Sequence, residues 1–117
     1  MIGDKKKVEE TLAKEKKSCE LYSVLKSWKE IEIGGIIKNK NSECQFTGSW
    51  RTFRPIRDEK ICINCMFCWS VCPDNAVVGD NGNFGYFNYN HCKGCGLCAK
   101  ICPVKCIAMK DEAEFRK

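Results

Sequence analysis

The second half of the chain alternates short apolar runs with cysteine-rich loops. Runs of strand type occupy residues 54–57, 76–78, 84–89 and 107–109, and a helical turn is predicted from Trp69 and at the equivalent place thirty residues on. The Asn81-Gly82 pair, within the turn 79–83, favours a hairpin between the second and third runs. The pattern predicts a small domain in which two strand-helix-strand units follow each other.

The first half of the chain has a weaker pattern. Its opening, KKKVEETLAKEKK, is charged on nearly every face and predicts a helix that is frayed or depends on a partner. Apolar residues at helical spacing follow at Leu21, Val24, Leu25 and Trp28. EIEIGG then alternates like a short strand, and KNKNSE reads as a polar turn. This composition does not predict an independent domain for residues 1–53.

Cysteine content narrows the class of protein. The chain has 117 residues and 11 cysteines, which in a secreted protein would predict a disulfide framework. No apolar segment follows the basic opening, and no run of about 18 apolar residues is present to cross a bilayer. We therefore expect a cytoplasmic protein without membrane contact, whose thiols are reduced and bind metal.

The cysteines form one motif written twice. CINCMFCWSVCP and CKGCGLCAKICP both have the spacing C-x2-C-x2-C-x3-C-P. Three thiols at this spacing can surround three corners of an iron-sulfur cubane, while the fourth lies about one helical turn onward and reaches the other cluster. We expect two [4Fe-4S] clusters with crossed ligand sets. The first set is Cys62, Cys65, Cys68 and Cys102, and the second is Cys92, Cys95, Cys98 and Cys72.

Other cofactors fit this spacing poorly. A four-cysteine zinc ribbon requires two separated pairs, whereas here the third cysteine follows at once and a proline follows the fourth. A c-type haem requires a histidine directly after a cysteine pair, and His91 precedes its cysteine. His91 is expected to be an ordinary residue near a cluster.

An offset of thirty residues aligns the two motifs. Asn64 then matches Gly94, and both suit a tight loop with positive φ. Cys106 matches Ala76, which predicts a buried small residue and not a ligand, and the isolated Cys19 and Cys44 are also predicted to be non-ligands. An apolar jacket that excludes water from the clusters is expected from Ile61, Ile63, Val71, Val77, Tyr89, Ile101 and Ile107.

The formal charge of +5 does not identify a partner. Eight thiolates around two cluster cores of about +2 each change the sum by about −4 and leave the loaded protein near +1. Basic residues also interleave with aromatics in TGSWRTFRP, yet one short cluster is weak evidence for nucleic acid, which we do not expect as a partner. Trp50, Arg51, Phe53 and Arg54 are typical of protein interfaces, and packing on the chain's own sheet is the alternative.

The predicted fold class is α+β: a bacterial-type two-cluster ferredoxin domain, with a pseudo-twofold βαβ-βαβ repeat and an extended N-terminal arm. Three parts are expected: a basic extension at 1–24, a partner-docking arm at 25–53 and the cluster domain at 54–117. The tail KDEAEFRK is expected to be solvated.

Four segments in this order carry a family resemblance: LKSWKEIEIGG, TGSWRTFRP, CINCMFCWSVCPDNA and HCKGCGLCAKICP. From about Leu25 onward the chain resembles the delta subunits of pyruvate:ferredoxin oxidoreductases, within the 2-oxoacid:ferredoxin oxidoreductase family. The resemblance implies alpha, beta and gamma partner subunits that bind thiamine diphosphate, magnesium and coenzyme A and decarboxylate pyruvate to acetyl-CoA.

In such an enzyme this chain is a non-catalytic electron-transfer subunit, which passes electrons through its clusters to an external ferredoxin or flavodoxin. The absence of a phosphate-binding glycine loop and of paired catalytic carboxylates agrees with that role. The alternatives are the same role for another 2-oxoacid and a stand-alone ferredoxin-type carrier.

Overall fold

The computed structural model describes residues 5–20, 27–30, 33–34 and 42–116. The chain divides into two compact units, one ending at Gln45 and one beginning at Phe46. Residues 46–53, which the sequence assigns to an arm, therefore belong to the unit that carries the cysteine motifs. None of the helices in the described part of the chain has the length and apolar character needed to span a bilayer.

The N-terminal unit contains helix α1, Lys5–Glu20, and a 3-10 turn, Ser42–Cys44. A disulfide between Cys19 and Cys44, with Cα atoms 5.4 Å apart, joins them. The expectation that all thiols are reduced is wrong for this pair, because folding brings together two cysteines separated by 25 positions. Trp28 is exposed. Outside the described residues lie half of EIEIGG, most of KNKNSE, and Leu21, Val24 and Leu25.

The second unit consists of four strands and two short helices. In chain order these are β1 Phe53–Arg57, α2 Phe67–Ser70, β2 Val77–Asp80, β3 Asn83–Phe87, α3 Leu97–Ile101 and β4 Ile107–Asp111. β1 pairs antiparallel with β4, so the first strand of the domain lies beside its last strand, and β2 pairs antiparallel with β3. The prediction of strands on either side of each cysteine loop is correct.

The β2–β3 hairpin turns at the predicted Asn81-Gly82 pair. Both residues have positive φ, 49° and 78°, which is the backbone that a two-residue hairpin turn of this type requires. The ladder is irregular between Val78 and Gly79. The hairpin places Phe84 and Phe87 in the core, where their rings meet edge to face with centroids 5.0 Å apart.

The core is small and contains sulfur as well as hydrocarbon. Val77, Phe84, Phe87 and Ile107 are buried together with four cysteines: Cys68, Cys98, Cys102 and Cys106. Val77 and Ile107 are thus confirmed as part of the predicted apolar jacket. Ile61 and Ile101 are more than two-fifths exposed and do not contribute to a closed jacket, whereas Ile63, although also exposed, lines a cavity inside the first cysteine loop.

A buried ion-pair group, which we call the Arg51–Arg54–Glu112 lock, fixes the edges of the domain. Glu112 accepts hydrogen bonds from both guanidinium groups at 2.7 to 2.9 Å. Arg51 also donates to the carbonyl groups of Tyr89 and Cys92. Arg54 is part-buried, and both guanidinium groups stack on the Tyr89 ring.

The lock corrects two sequence-based expectations. Arg51 and Arg54 serve packing within the chain and are not free anchors for a partner, because their donors are directed to Glu112. The C-terminal tail is not fully solvated, since Glu112 is buried and its backbone amide donates to Thr52. Trp50, which is 72% exposed, and Phe53 remain available on the surface.

Candidate iron-sulfur centres

The structure gathers the eight motif cysteines around two cavities. The first cavity has a volume of about 330 Å³, counting space open to solvent, and Cys62, Cys65, Cys68 and Cys102 line it. The second has a volume of about 360 Å³, and Cys72, Cys92, Cys95 and Cys98 line it. Each cavity therefore receives three thiols from one motif and the fourth from the other, which is the grouping that the spacing predicts.

Left-handed backbone at fixed places wraps each loop around its cavity. Asn64 and Met66 have φ of 55° and 60°, and Gly94 and Gly96, thirty positions later, have φ of 68° and 80°. The expectation of positive φ at Asn64 and Gly94 is correct. Gly94 is also required by space, because a Cβ atom there would lie 2.0 Å from the carbonyl oxygen of Phe53.

The two short helices carry the third thiol of each motif inward. Met66 and Gly96 are the N-caps of α2 and α3, and the second residue of each helix is a buried cysteine, Cys68 or Cys98. Cys72 and Cys102 follow the helices and point to the opposite cavities. The Sγ atom of Cys72 accepts a hydrogen bond from the amide of Ala76 at 3.2 Å.

The thiols differ in how easily they ionise. Burial raises the pKa of Cys98 to about 12 and raises the pKa values of Cys68 and Cys92. Burial also opposes ionisation of Cys62, but the amide of Asn64 and the guanidinium of Arg57 outweigh it and lower the pKa of that thiol. A metal centre must displace protons from the buried thiols, so its assembly should be pH-dependent.

The donor set fits iron-sulfur clusters better than single ions. No group of three or more His, Cys, Asp or Glu side chains within the described ranges is arranged to hold one metal ion. The thiols instead surround a space, as ligands of a cofactor larger than one ion must. Cys65 and Cys95, the exposed thiols of the two loops, lie where each cavity meets solvent.

Three sequence predictions concern residues outside the two ligand sets. His91 lines neither cavity and packs against Phe46, with ring centroids 5.6 Å apart, and Cys19 and Cys44 also line neither. Cys106 is buried as expected, but its Sγ atom lies 3.4 Å from that of Cys102, and it lines the first cavity.

Sequence reasoning missed Arg57. An arginine in a predicted strand does not by itself indicate contact with a cofactor site. The Arg57 side chain nevertheless lines the first cavity and stacks on the ring of Phe84. Only the offset of thirty residues, which places Phe87 at the matching position, marks Arg57 as unusual.

Comparison with known proteins agrees with these centres. A family model described as a 4Fe-4S dicluster domain matches residues 56–109. The pyruvate synthase subunit PorD of Thermotoga maritima is 52% identical over 92 residues, which are 78% of this chain and 93% of that relative.

Two further relatives extend the comparison. PorD of Methanocaldococcus jannaschii is 48% identical over 82 residues, covering 69% of this chain and 87% of that relative. The ketoisovalerate oxidoreductase subunit VorD of Pyrococcus furiosus is 44% identical over 66 residues, which are 56% of this chain and 63% of that relative. Given this identity over nearly the whole of the Thermotoga relative, the chain belongs to the family of pyruvate synthase subunit PorD, and it carries a 4Fe-4S dicluster domain.

Proposed function

We propose that this chain is the electron-transfer subunit of a pyruvate synthase, an oxidoreductase complex. One observation carries the proposal: two separate cavities, each lined by four thiols of the repeated motifs, lie in a chain that is 52% identical to PorD over 93% of that relative. A catalytic subunit would need a substrate site, whereas the reactive groups that both cavities share are thiols, the ligands of iron-sulfur clusters. The chain therefore carries electrons for a reaction performed elsewhere in the complex.

Two [4Fe-4S] clusters are the proposed cofactors. The first centre would be held by Cys62, Cys65, Cys68 and Cys102, and the second centre by Cys92, Cys95, Cys98 and Cys72. When bound, such clusters accept and release single electrons. The chain supplies thiolate ligands and backbone donors, and its buried apolar residues limit access of water. The exposed Cys65 and Cys95 give each centre an edge at which a redox partner can approach.

The two halves of the domain, related by the offset of thirty residues, are proposed to be a pseudo-twofold repeat. The described residues before Phe46 (5–20, 27–30, 33–34 and 42–45) line neither cavity. We assign to it the attachment to the alpha, beta and gamma subunits of a cytoplasmic complex, with ferredoxin or flavodoxin as the external acceptor. This role replaces the docking function that the sequence assigned to Arg51 and Arg54.

Pyruvate is the proposed substrate of the complex, because the PorD relatives are matched over nearly their full length. The VorD relative of Pyrococcus furiosus, whose name specifies ketoisovalerate, is matched over 63% of its length. A branched-chain 2-oxoacid is therefore the second candidate.

Addition of substrate to the assembled complex tests this function. With alpha, beta and gamma subunits, pyruvate and coenzyme A but no external acceptor, both centres of this chain should become reduced, as followed by electron paramagnetic resonance under anaerobic conditions. A variant that lacks residues 1–45 is the matched control: it should keep its iron and remain oxidised, because it no longer docks. Centres that stay oxidised in a complex containing the full chain would contradict the proposal.

A further inference from the structure

The two cavities differ at two places where the halves of the domain carry unlike residues. Arg57 lines the first cavity, and its counterpart thirty positions later is Phe87, which lines the second. Cys106 lines the first cavity, and its counterpart thirty positions earlier is Ala76, which lines the second. Each difference gives the first cavity a hydrogen-bond donor that the second lacks.

Arg57 brings a buried positive charge to the first cavity. Its side chain is 6% exposed, and the guanidinium carbon lies 4.3 Å from the centre of the Phe84 ring. Within the described part of the chain, Arg57 forms an ion pair with Glu59, at 3.4 Å, and the Glu59 side chain is 65% exposed. Water screens that carboxylate, so it offsets little of the charge of the guanidinium at the cavity.

Cys106 brings a second donor. It is buried, and its Sγ atom lies 3.4 Å from the Sγ atom of Cys102, which is within hydrogen-bond distance for sulfur. When Cys102 is a thiolate ligand, the Cys106 thiol can donate to it. Ala76 has no side-chain donor, so Cys72 receives only the backbone amide at the equivalent place.

The charged side chains that line the second cavity do not compensate for this difference. Lys93 and Asp74 both line it, and they form a 2.6 Å ion pair with each other. Arg51 is close to Cys92, but its donors go to Glu112 and to carbonyl oxygens, and it does not line the cavity. The charged side chains that line the second cavity, Lys93 and Asp74, therefore neutralise each other, whereas Arg51 and Arg54 share one carboxylate and leave a net positive charge beside Cys92 that does not line the cavity.

We propose that Arg57 and Cys106 make the first centre the more easily reduced of the two, so that a single electron entering the chain comes to rest on it. The inference depends on the proposed function, since it requires both clusters. Reduction adds one negative charge to a cluster, and a nearby cation or a hydrogen bond to a cluster sulfur stabilises the reduced state. Arg57 and Cys106 are thus positioning residues that determine which of the two clusters is reduced first.

Potentiometric titration of the full chain with dithionite, followed by electron paramagnetic resonance, tests the proposal. In the wild type the first centre should be reduced at the higher potential. Arg57→Leu should shift its oxidised-to-reduced ratio about tenfold toward oxidised at a fixed potential, which is 59 mV for a one-electron couple. Arg57→Lys keeps the positive charge, so its potential should stay close to that of the wild type. Cys106→Ala should shift the ratio in the same direction as Arg57→Leu, but by less. The second centre is the internal control and should not move.

The possible results distinguish failure of the proposed function from failure of the proposed order of reduction. A chain without iron would overturn the proposed function itself. A chain with both clusters in which the second centre fills first, or in which Arg57→Leu and Cys106→Ala leave the first centre unmoved, would overturn only the order of filling. Should Arg57→Leu fail to fold, the Cys106→Ala titration and the wild-type order decide.

Discussion

Replacing Cys72 with alanine is expected to remove the second centre, whose other ligands begin twenty residues further along the chain, and to leave the first centre intact. Cys72 follows α2 in the first motif, yet it lines the cavity of Cys92, Cys95 and Cys98. A cubane that loses one of four thiolates in a partly open cavity should be lost or degraded, so anaerobically purified Cys72→Ala protein should lack about four irons. Iron analysis and the resonance signal of the remaining centre provide the measurement.

Cys102→Ala is the matched variant and should give the opposite result, because Cys102 lines the cavity of the first motif. Cys106 lies next to it, so the double variant Cys102→Ala, Cys106→Ala excludes a substitute thiol. Loss of the first centre in Cys72→Ala protein would show that each motif binds its own cluster, and the crossed ligand sets would then be wrong.

Glu112→Gln is expected to destabilise the domain by about 3 to 5 kcal/mol, because it leaves two guanidinium groups with a neutral partner in a buried site. Glu112 is 6% exposed and accepts four hydrogen bonds from Arg51 and Arg54. Urea unfolding of the loaded protein, followed anaerobically by visible absorbance, measures the loss. The exposed Glu114, two residues on, gives the control: Glu114→Gln should unfold within about 0.5 kcal/mol of wild type.

The contribution of Glu112 should depend on pH in a defined direction. Burial opposes its ionisation, but hydrogen bonds and charge from Arg51 and Arg54 outweigh this and lower its pKa from 4.5 to about 2. A carboxyl whose pKa is lower in the folded state stabilises fully above its unfolded value and loses that effect as pH falls toward the folded value. The difference between wild type and Glu112→Gln should stay constant from pH 8 to about 5 and shrink below 4.5. A difference that grows on acidification would refute the lock.

The local features of the cluster domain could be predicted because few backbone solutions satisfy its motifs. Closely spaced cysteines require a loop that turns repeatedly, and glycine or asparagine at Gly94 and Asn64 marks where φ becomes positive. Asn81-Gly82 specifies its hairpin in the same local way. The fourth cysteine of each motif, Cys72 or Cys102, follows the end of its short helix and lines the cavity of the other motif, as the spacing led us to expect.

Long-range polar contacts could not be predicted. Arg51 and Glu112 are 61 positions apart, and a cluster of arginine beside tryptophan is equally typical of a surface for a partner. The disulfide between Cys19 and Cys44 was missed for the same reason, because neither cysteine has a neighbour in sequence that indicates pairing. Arg57 was missed because strand periodicity does not tell which side chain faces a cavity for a cofactor.

The prediction of an apolar jacket was wrong for some residues that the structure leaves exposed. Ile61 and Ile101 are apolar residues typical of a core, but a domain built around two large cofactor cavities has too little interior to bury them. Trp50 and Phe53 are exposed, and contact of these two side chains with another subunit stays a prediction.

The content of iron and acid-labile sulfide in anaerobically purified protein tests the central claim most directly. Two cavities, each with four motif thiols, predict about eight irons and eight sulfides per chain, with broad visible absorbance that bleaches on reduction. Stoichiometric zinc without sulfide, or four irons in a fully folded chain, would contradict the assignment of two [4Fe-4S] centres to Cys62, Cys65, Cys68 and Cys102 and to Cys92, Cys95, Cys98 and Cys72.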